Sequence, residues 1–355
     1  MHEQDSAFAF EGNWREFAPI ALTNLLLTIV TLGFYRFWAT TRERRYLWSQ
    51  TRFIDDRLEW TGTGKELFVG FVLVVGLLLA PLLFIQFGLQ AMILRGYAAA
   101  AIIITLGIYV FFLYLYGLAR FRALRYRLSR SWWRGIRGGS DDQGFGYGWS
   151  SVWKQAVGFL AAGLMIPWAM CSLWNERWGK MSFGGYEFSA DADFGKIMWR
   201  YILCYAAPFI VLFGGLIAMI PVMMTMGTGD GDPGAGAMVT VFAFIAAIYL
   251  IFPLIILAYY AAFMREAVGS LRLTTLDFEF TARTKDWIKL FLGNIGLVVV
   301  TLGIGIAFLG YRNWSFFVRH MEAGGEIDVA ALTQSITRTP GQGEGLLDAF
   351  DVGAI

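Results

Sequence analysis

Histidine and cysteine are almost missing from this chain, and each scarcity removes a class of chemistry. Only two histidines occur in 355 residues, His2 at the start and His320 near the end. That spacing suits no His-centred acid–base pair or activated nucleophile, and His320 reads as a surface residue. The two cysteines, Cys171 and Cys204, both fall inside apolar runs, so neither a disulfide framework nor a metal-ligand set is expected. Charge is also scarce. Charged residues make up 16% of the chain against 57% hydrophobic, far from the balance of a soluble domain. The start, Met1-His-Glu-Gln-Asp-Ser-Ala7, lacks the basic region and apolar core of a signal peptide, so insertion would rely on internal apolar runs. Phosphate-cradling loops and nucleophile elbows are absent as well. Thr61-Gly-Thr-Gly-Lys65 has the wrong spacing for the former and reads better as a helix cap, while Asp55-Asp56 and Asp141-Asp142 read as solvated turns. An enzyme is not expected, and no cofactor or metal is implied.

What the chain does have is repetition. Asn24-Leu-Leu-Leu-Thr-Ile-Val-Thr-Leu-Gly33 returns 270 residues later as Asn294-Ile-Gly-Leu-Val-Val-Val-Thr-Leu-Gly303. The register extends without a gap, since Phe8 and Phe10 fall on Phe278 and Phe280, Phe17 on Trp287, and Arg42 on Arg312. A weaker middle copy aligns Gly163-Leu-Met-Ile-Pro-Trp168 with Gly33-Phe-Tyr-Arg-Phe-Trp38. Seven apolar segments follow from the hydropathy pattern, at 17–38, 67–90, 97–119, 152–174, 197–226, 237–263 and 287–311. The first, fourth and seventh carry the repeat and are broken by glycine, proline, asparagine or threonine; the other four are long enough to cross a bilayer. Thr63-Gly-Lys-Glu66 forms a capping box ahead of the second. Short alternating strands are read at 8–12 and 272–280, with hairpins at 51–60, at 180–188 around Gly184-Gly185, and at 318–329.

Charge placement separates two topologies. If all seven segments cross, one side holds 16 basic residues and the other 9, a weak asymmetry. If the three broken segments dip in and return, only Arg95 of the 29 basic residues is exported, together with the acidic loop around Asp230 and Asp232. That half-span arrangement also places every aromatic hairpin on one side, where they could pair into a common sheet. The fold class expected is an α-helical polytopic membrane protein, with internal repeats of a broken, re-entrant segment plus two full transmembrane helices, and short cytoplasmic β-hairpins. The organisation expected is repeat one at 1–119, a basic cytoplasmic loop at 120–151, repeat two at 152–263, repeat three at 264–332 and a flexible tail at 333–355, with both termini cytoplasmic. Seven true spans would instead make successive repeats inverted.

Asn24, Thr31-Leu-Gly-Phe-Tyr-Arg-Phe-Trp38, Arg42-Glu-Arg-Arg-Tyr46, Thr51-Arg-Phe53, Thr61-Gly-Thr-Gly64 and Trp132-Trp-Arg-Gly-Ile-Arg137 together resemble the YjgN-like family of bacterial inner-membrane proteins, over nearly the whole chain. The resemblance implies a multi-pass protein of the bacterial inner membrane with no established activity. Members typically show a Pro-Trp pair after the Thr-Leu-Gly turn. Here the first copy has Phe37-Trp38, the middle copy has Pro167-Trp168, and the third has neither.

Two functions are compatible with these residues. In the first, the broken helices form a passive channel or carrier for a small solute, with Asn24, Thr31, Gly33, Asn294, Thr301 and Gly303 at the site. The same residues also serve plain helix–helix packing in membranes. No acid falls within a clear span, so no carboxylate proton relay is visible. In the second, the protein is a non-transporting scaffold or an anionic-lipid-interacting protein. Arg120, Arg122, Arg125, Arg127, Arg134 and Arg137, interleaved with Trp132 and Trp133, would then meet lipid headgroups. Membrane lipid is the partner implied and nucleic acid is not; nothing in the sequence specifies an oligomeric state.

Overall fold

A run of short strands, some of them buried on alternate residues, builds the part of the molecule that the sequence shows least clearly. The structure is a computed structural model describing residues 6–227, 235–246, 248–249, 252–327 and 332–341. The acidic loop around Asp230 and Asp232, Val329 of the last expected hairpin, His2, and the tail beyond 341 lie outside the described residues. In chain order the elements are β1 (Phe8–Phe10), α1 (Trp14–Val30), α2 (Arg36–Ser49), β2 (Thr51–Phe53), β3 (Asp56–Trp60), α3 (Gly64–Leu83), a π-turn (Phe84–Gly88), α4 (Leu89–Leu94) and α5 (Ala98–Arg130). Then come β4 (Ser131–Trp133), β5 (Ile136–Gly139), α6 (Phe145–Leu160), α7 (Ile166–Trp178), β6 (Ser182–Phe183), β7 (Tyr186–Ala190), α8 (Gly195–Gly227), α9 (Ala235–Ala246) and α10 (Phe252–Gly269). The chain ends on β8 (Leu271–Leu273), β9 (Leu276–Phe280), α11 (Thr284–Val300), a 3₁₀ turn (Ile304–Phe308), α12 (Leu309–Arg319) and β10 (Met321–Gly324).

The ten strands hydrogen-bond in sequence order, β1 to β10, as one antiparallel sheet. This corrects the expected fold class. The hairpins are not accessories of an α-helical polytopic bundle, because every one of them is joined to the next. Leu58 pairs with Trp133, Gly138 with Phe183, and Phe188 with Leu273 across the links between hairpins. The cause is side-chain periodicity: in β9, Leu276, Phe278 and Phe280 point inward while Asp277 and Glu279 face out. The inward aromatics then contact one another around the sheet. Phe8 lies 4.5 Å from Phe53, Phe53 lies 5.0 Å from Trp133, and Phe8 returns to Phe278 at 6.4 Å, so the two ends of the sheet curl toward each other into a near-barrel. The indole of Trp133, 1% exposed, donates to the Phe53 carbonyl at 3.0 Å.

Four two-residue turns close the hairpins, and each has its first central residue at positive φ: Ile54, Arg134, Gly184 and Thr274. Ile54 and Thr274 are the costly cases, β-branched residues at φ 57° and 54°, and the Ile54 side chain is held against the aromatic core. The stretch at 272–280 is therefore a hairpin instead of one strand, and in the expected last hairpin the described residues form the end of α12 and β10, which pairs with β9. The stretch at 120–151 is not a loop. It comprises the last turns of α5, the β4–β5 hairpin and the start of α6.

Among the described residues four helices are long and apolar enough to cross a membrane: Gly64–Leu94, Ala98–Arg130, Gly195–Ile217 and Phe252–Gly269. The first carries Pro81, and the π-turn immediately after it absorbs the disturbed bonding. Its Thr63–Glu66 capping box is formed, and Glu66 also accepts from Arg130 at 2.7 Å and Tyr126 at 3.0 Å. A Cβ on Gly64 would lie 2.8 Å from the Trp38 backbone, so that glycine serves close packing of α3 on α2. Replacing Trp133 by alanine is expected to cost about 3–5 kcal/mol of stability, whereas Arg134→Ala on the outer face stays within about 0.5 kcal/mol. Thermal unfolding of the two detergent-solubilised variants checks this; equal midpoints would show that the aromatic interior does not hold the sheet.

Candidate functional site

The broken segments resolve into helix pairs with one recurring turn. Leu32 and Gly33 adopt φ of 51° and 94°, Ala162 and Gly163 adopt 52° and 82°, and Leu302 and Gly303 adopt 49° and 95°. The Gly33 amide bonds the Thr28 carbonyl at 2.7 Å, and the Gly303 amide bonds the Val298 carbonyl at 2.8 Å, which ends each first helix in a left-handed cap. The Thr31 hydroxyl donates to the Leu27 carbonyl and accepts the Tyr35 amide at 2.9 Å; Thr301 does the same between Leu297 and the Gly305 amide. The middle pair has Ala161 in that place, and α8 supplies the polar atoms: Tyr201 donates to the Gly163 carbonyl and Tyr205 to the Ala162 carbonyl.

Asn24 and Asn294 also act inside their own pairs. Asn24 is buried and donates to the Ala39 carbonyl at 3.2 Å, tying α1 to α2. Asn294 donates to Asn313 at 3.0 Å and accepts from Arg312 at 2.8 Å, tying α11 to α12. Thus Asn24, Thr31 and Gly33 lie together in the first pair, and Asn294, Thr301 and Gly303 in the third. Among the described residues no hydrogen bond joins the two sets.

The basic set divides. Arg125 is 2% exposed and reaches the Ser140 carbonyl at 2.9 Å and the Arg338 carbonyl at 3.1 Å. Arg137 is buried as well, its guanidinium on the Thr337 carbonyl and its backbone amide on the Gln334 side chain. Burial, with the neighbouring cations Arg130 and Arg125, pulls the Arg137 guanidinium below its ordinary value. Both residues, and the enclosed Trp133, are therefore removed from the headgroup-contact set. They hold the segment 332–341 against β5 and β6 in the middle of the sheet. Arg134 faces out and pairs with Asp55, Arg122 lies over the Phe145 ring at 5.0 Å, and Arg120, Arg127 and Trp132 are half-buried.

A cavity of about 280 Å³ opens between α5, α6, α7 and α10. Small residues bring α5 and α6 close enough to wall it: a Cβ on Gly117 would meet Ser151 at 2.5 Å, and one on Gly148 would meet Tyr114 at 2.7 Å. Arg120 enters from α5 and Arg177 from α7, with Tyr116, Tyr147 and Tyr260 around them. Arg177 is 1% exposed and sits over the Trp174 ring at 5.5 Å. Burial pulls its guanidinium down to about 10, with Tyr147 opposing that shift and the Arg120 cation adding to it, so it is charged at neutral pH. Lys154 binds Glu176 at 2.6 Å beside the cavity, and among the described residues no carboxylate lines the cavity itself. Sequence reading missed Arg177. Its signal is positional, since Ile166, Met170, Trp174 and Arg177 lie on one helical face, an apolar stripe that ends in a cation.

A family description, bacterial protein of unknown function (DUF898), matches residues 5–349. The chain is a member of that family. DUF898 relatives include an inner membrane protein YjgN of Salmonella typhimurium, 22% identical over 91% of this chain and 90% of the relative. Inner membrane protein YjgN of Escherichia coli O157:H7 and that of strain K12 are each 22% identical over 61% of both chains. No solved structure matches. A DUF898 relationship together with four apolar helices identifies an integral membrane protein whose relatives reside in the inner membrane. Ending this chain at residue 331 would strip buried Arg125 and Arg137 of carbonyl partners, at about 1–3 kcal/mol for each unsatisfied group. Limited proteolysis should then cut within residues 131–139, a region that stays protected in the full chain.

Proposed function

We propose that the protein is a non-transporting, anionic-lipid-interacting protein of the inner membrane, with its sheet and termini on the cytoplasmic side and its three short helix pairs inserted into that leaflet. The observation that carries this is the state of the turn tips. Leu32 is 91% exposed, Leu160 86% and Leu302 94%, each on the far side of a helix pair from the sheet. Bare leucines at three matched tips suit lipid and not water. From Arg36 to Arg42 the helix α2 rises about 9 Å, and from Ile304 to Arg312 the 3₁₀ turn and α12 rise about 14 Å, each well short of the roughly 30 Å hydrocarbon core. Tryptophans Trp14, Trp149 and Trp199 are exposed near the opposite ends of their helices, where rings settle at a membrane interface. The three helix pairs leave the sheet and return to it, which supports re-entry over crossing. Engagement of Thr31, Thr301, Asn24 and Asn294 within their own pairs favours lipid interaction over a solute path at the turns.

Single cysteines at Ser182 or Thr284, with Cys171 and Cys204 replaced by alanine, should resist a membrane-impermeant thiol reagent applied to intact cells, while one at Gly96 should label. Labelling at Ser182 or Thr284 would sink the topology. For lipid, interfacial tryptophans in mixed vesicles should be quenched preferentially by brominated phosphatidylglycerol over brominated phosphatidylcholine. An enrichment of about fivefold corresponds to the ~1 kcal/mol contributed per basic residue near the surface. Equal quenching, or solute flux in proteoliposomes that Asn24→Leu abolishes, would overturn the proposal.

A further inference from the structure

We propose that the cavity between α5, α6, α7 and α10 binds one anionic amphiphile, its headgroup held between Arg120 and Arg177 and its acyl chain leaving past Phe159 and Ile166 into the surrounding lipid. This site is distinct from the general surface attraction proposed above, and it rests on that proposal only in placing α6 and α7 in the membrane.

The walls change character along one axis. At the sheet end stand two guanidinium groups and the phenols of Tyr116, Tyr147 and Tyr260, all able to donate hydrogen bonds to an anion. At the turn end stand Phe159, Ile166 and Met170. Along α6, Tyr147 and Phe159 are twelve residues apart, or about 18 Å of helix, which separates a polar head from an apolar exit. Phe159 both lines the cavity and is exposed on the outer surface, so the apolar end opens outward. An anionic headgroup between Arg120 and Arg177 would accept from guanidinium and phenol donors together. A volume of about 280 Å³ accepts a headgroup and the first part of one chain, not a whole two-chain lipid, and the remainder of the chain must lie outside. A freely soluble anion would use the arginines but leave the apolar exit without a purpose.

Native mass spectrometry of the full chain in a mild non-ionic detergent tests this. The unmodified protein should retain a single phosphatidylglycerol under conditions that strip phosphatidylcholine. Glycerol phosphate, the headgroup without a chain, should not compete. Arg120→Gln and Arg177→Gln should each lower retention about tenfold, the equivalent of 1.4 kcal/mol, whereas Arg272→Gln on the outer face of β8 should leave it unchanged. Equal retention of the neutral lipid, competition by glycerol phosphate, or an Arg120→Gln variant with the parent's melting midpoint and undiminished retention would each overturn the site. Because Arg177 is fully enclosed and its variant can fail to fold, the half-buried Arg120 decides the matter. Surface enrichment of phosphatidylglycerol measured by quenching survives loss of this single lipid, so the two proposals fail separately.

Discussion

The backbone ladder from β1 to β10 constrains everything else in the molecule. A strand can donate and accept across a ladder only when its neighbour lies about 5 Å away, so ten strands drawn from the whole chain must occupy one place. Each helical stretch between strands therefore begins and ends at the sheet. The long excursions, α3 through α5 and α8 through α10, have length enough to travel far and come back as two helices. The short ones, α1–α2, α6–α7 and α11–α12, must turn after a single helix. The broken character of the repeated segments follows from the ladder: a continuous helix there would carry the next strand away from its partner.

Turning back raises a second requirement, because backbone groups freed at a helix end need hydrogen-bond partners. The repeat meets it locally. A left-handed Gly accepts the reversal without a Cβ penalty, and a threonine one turn earlier serves as terminator of one helix and cap of the next. In the middle pair alanine replaces threonine, and two tyrosines of α8 reach the turn carbonyls from outside. Thr31, Gly33, Thr301 and Gly303 serve this requirement, while Asn24 and Asn294 tie the two helices of their pairs together.

Local signals were legible in the sequence and long-range ones were not. The capping box at Thr63, the breaks at Gly33, Gly163 and Gly303, and the Gly184-Gly185 turn each depend on residues within a few positions, and each has its expected kind of structure. Joining of the hairpins into one sheet depends on pairs such as Leu58 with Trp133, 75 positions apart, for which alternation on either strand carries no address. The turn at Ile54 was obscured because a β-branched residue adopts a conformation normally left to glycine, asparagine or aspartate, on the strength of its packing. Arg125 and Arg137 look identical to surface arginines in a basic run. Their burial is determined by a segment some 200 residues later that supplies the carbonyls.

The same division explains why the cation most worth notice was hidden. In a membrane protein, basic residues on the cytoplasmic side are expected in number, so counting them cannot single one out. Arg177 differs from the rest by direction. It sits on the inward face of α7, below a stripe of apolar side chains, while Lys154 and Glu176 neutralise each other alongside. A packed interior does not ordinarily retain two guanidinium groups around an open volume, because filling that volume with apolar side chains would remove the desolvation cost. Close approach at Gly117 and Gly148 shows that α5 and α6 can pack without a gap, yet the gap persists beside them where Arg120 and Arg177 stand. That contrast within one helix pair is the physical ground for treating the space as a site and not as a packing fault.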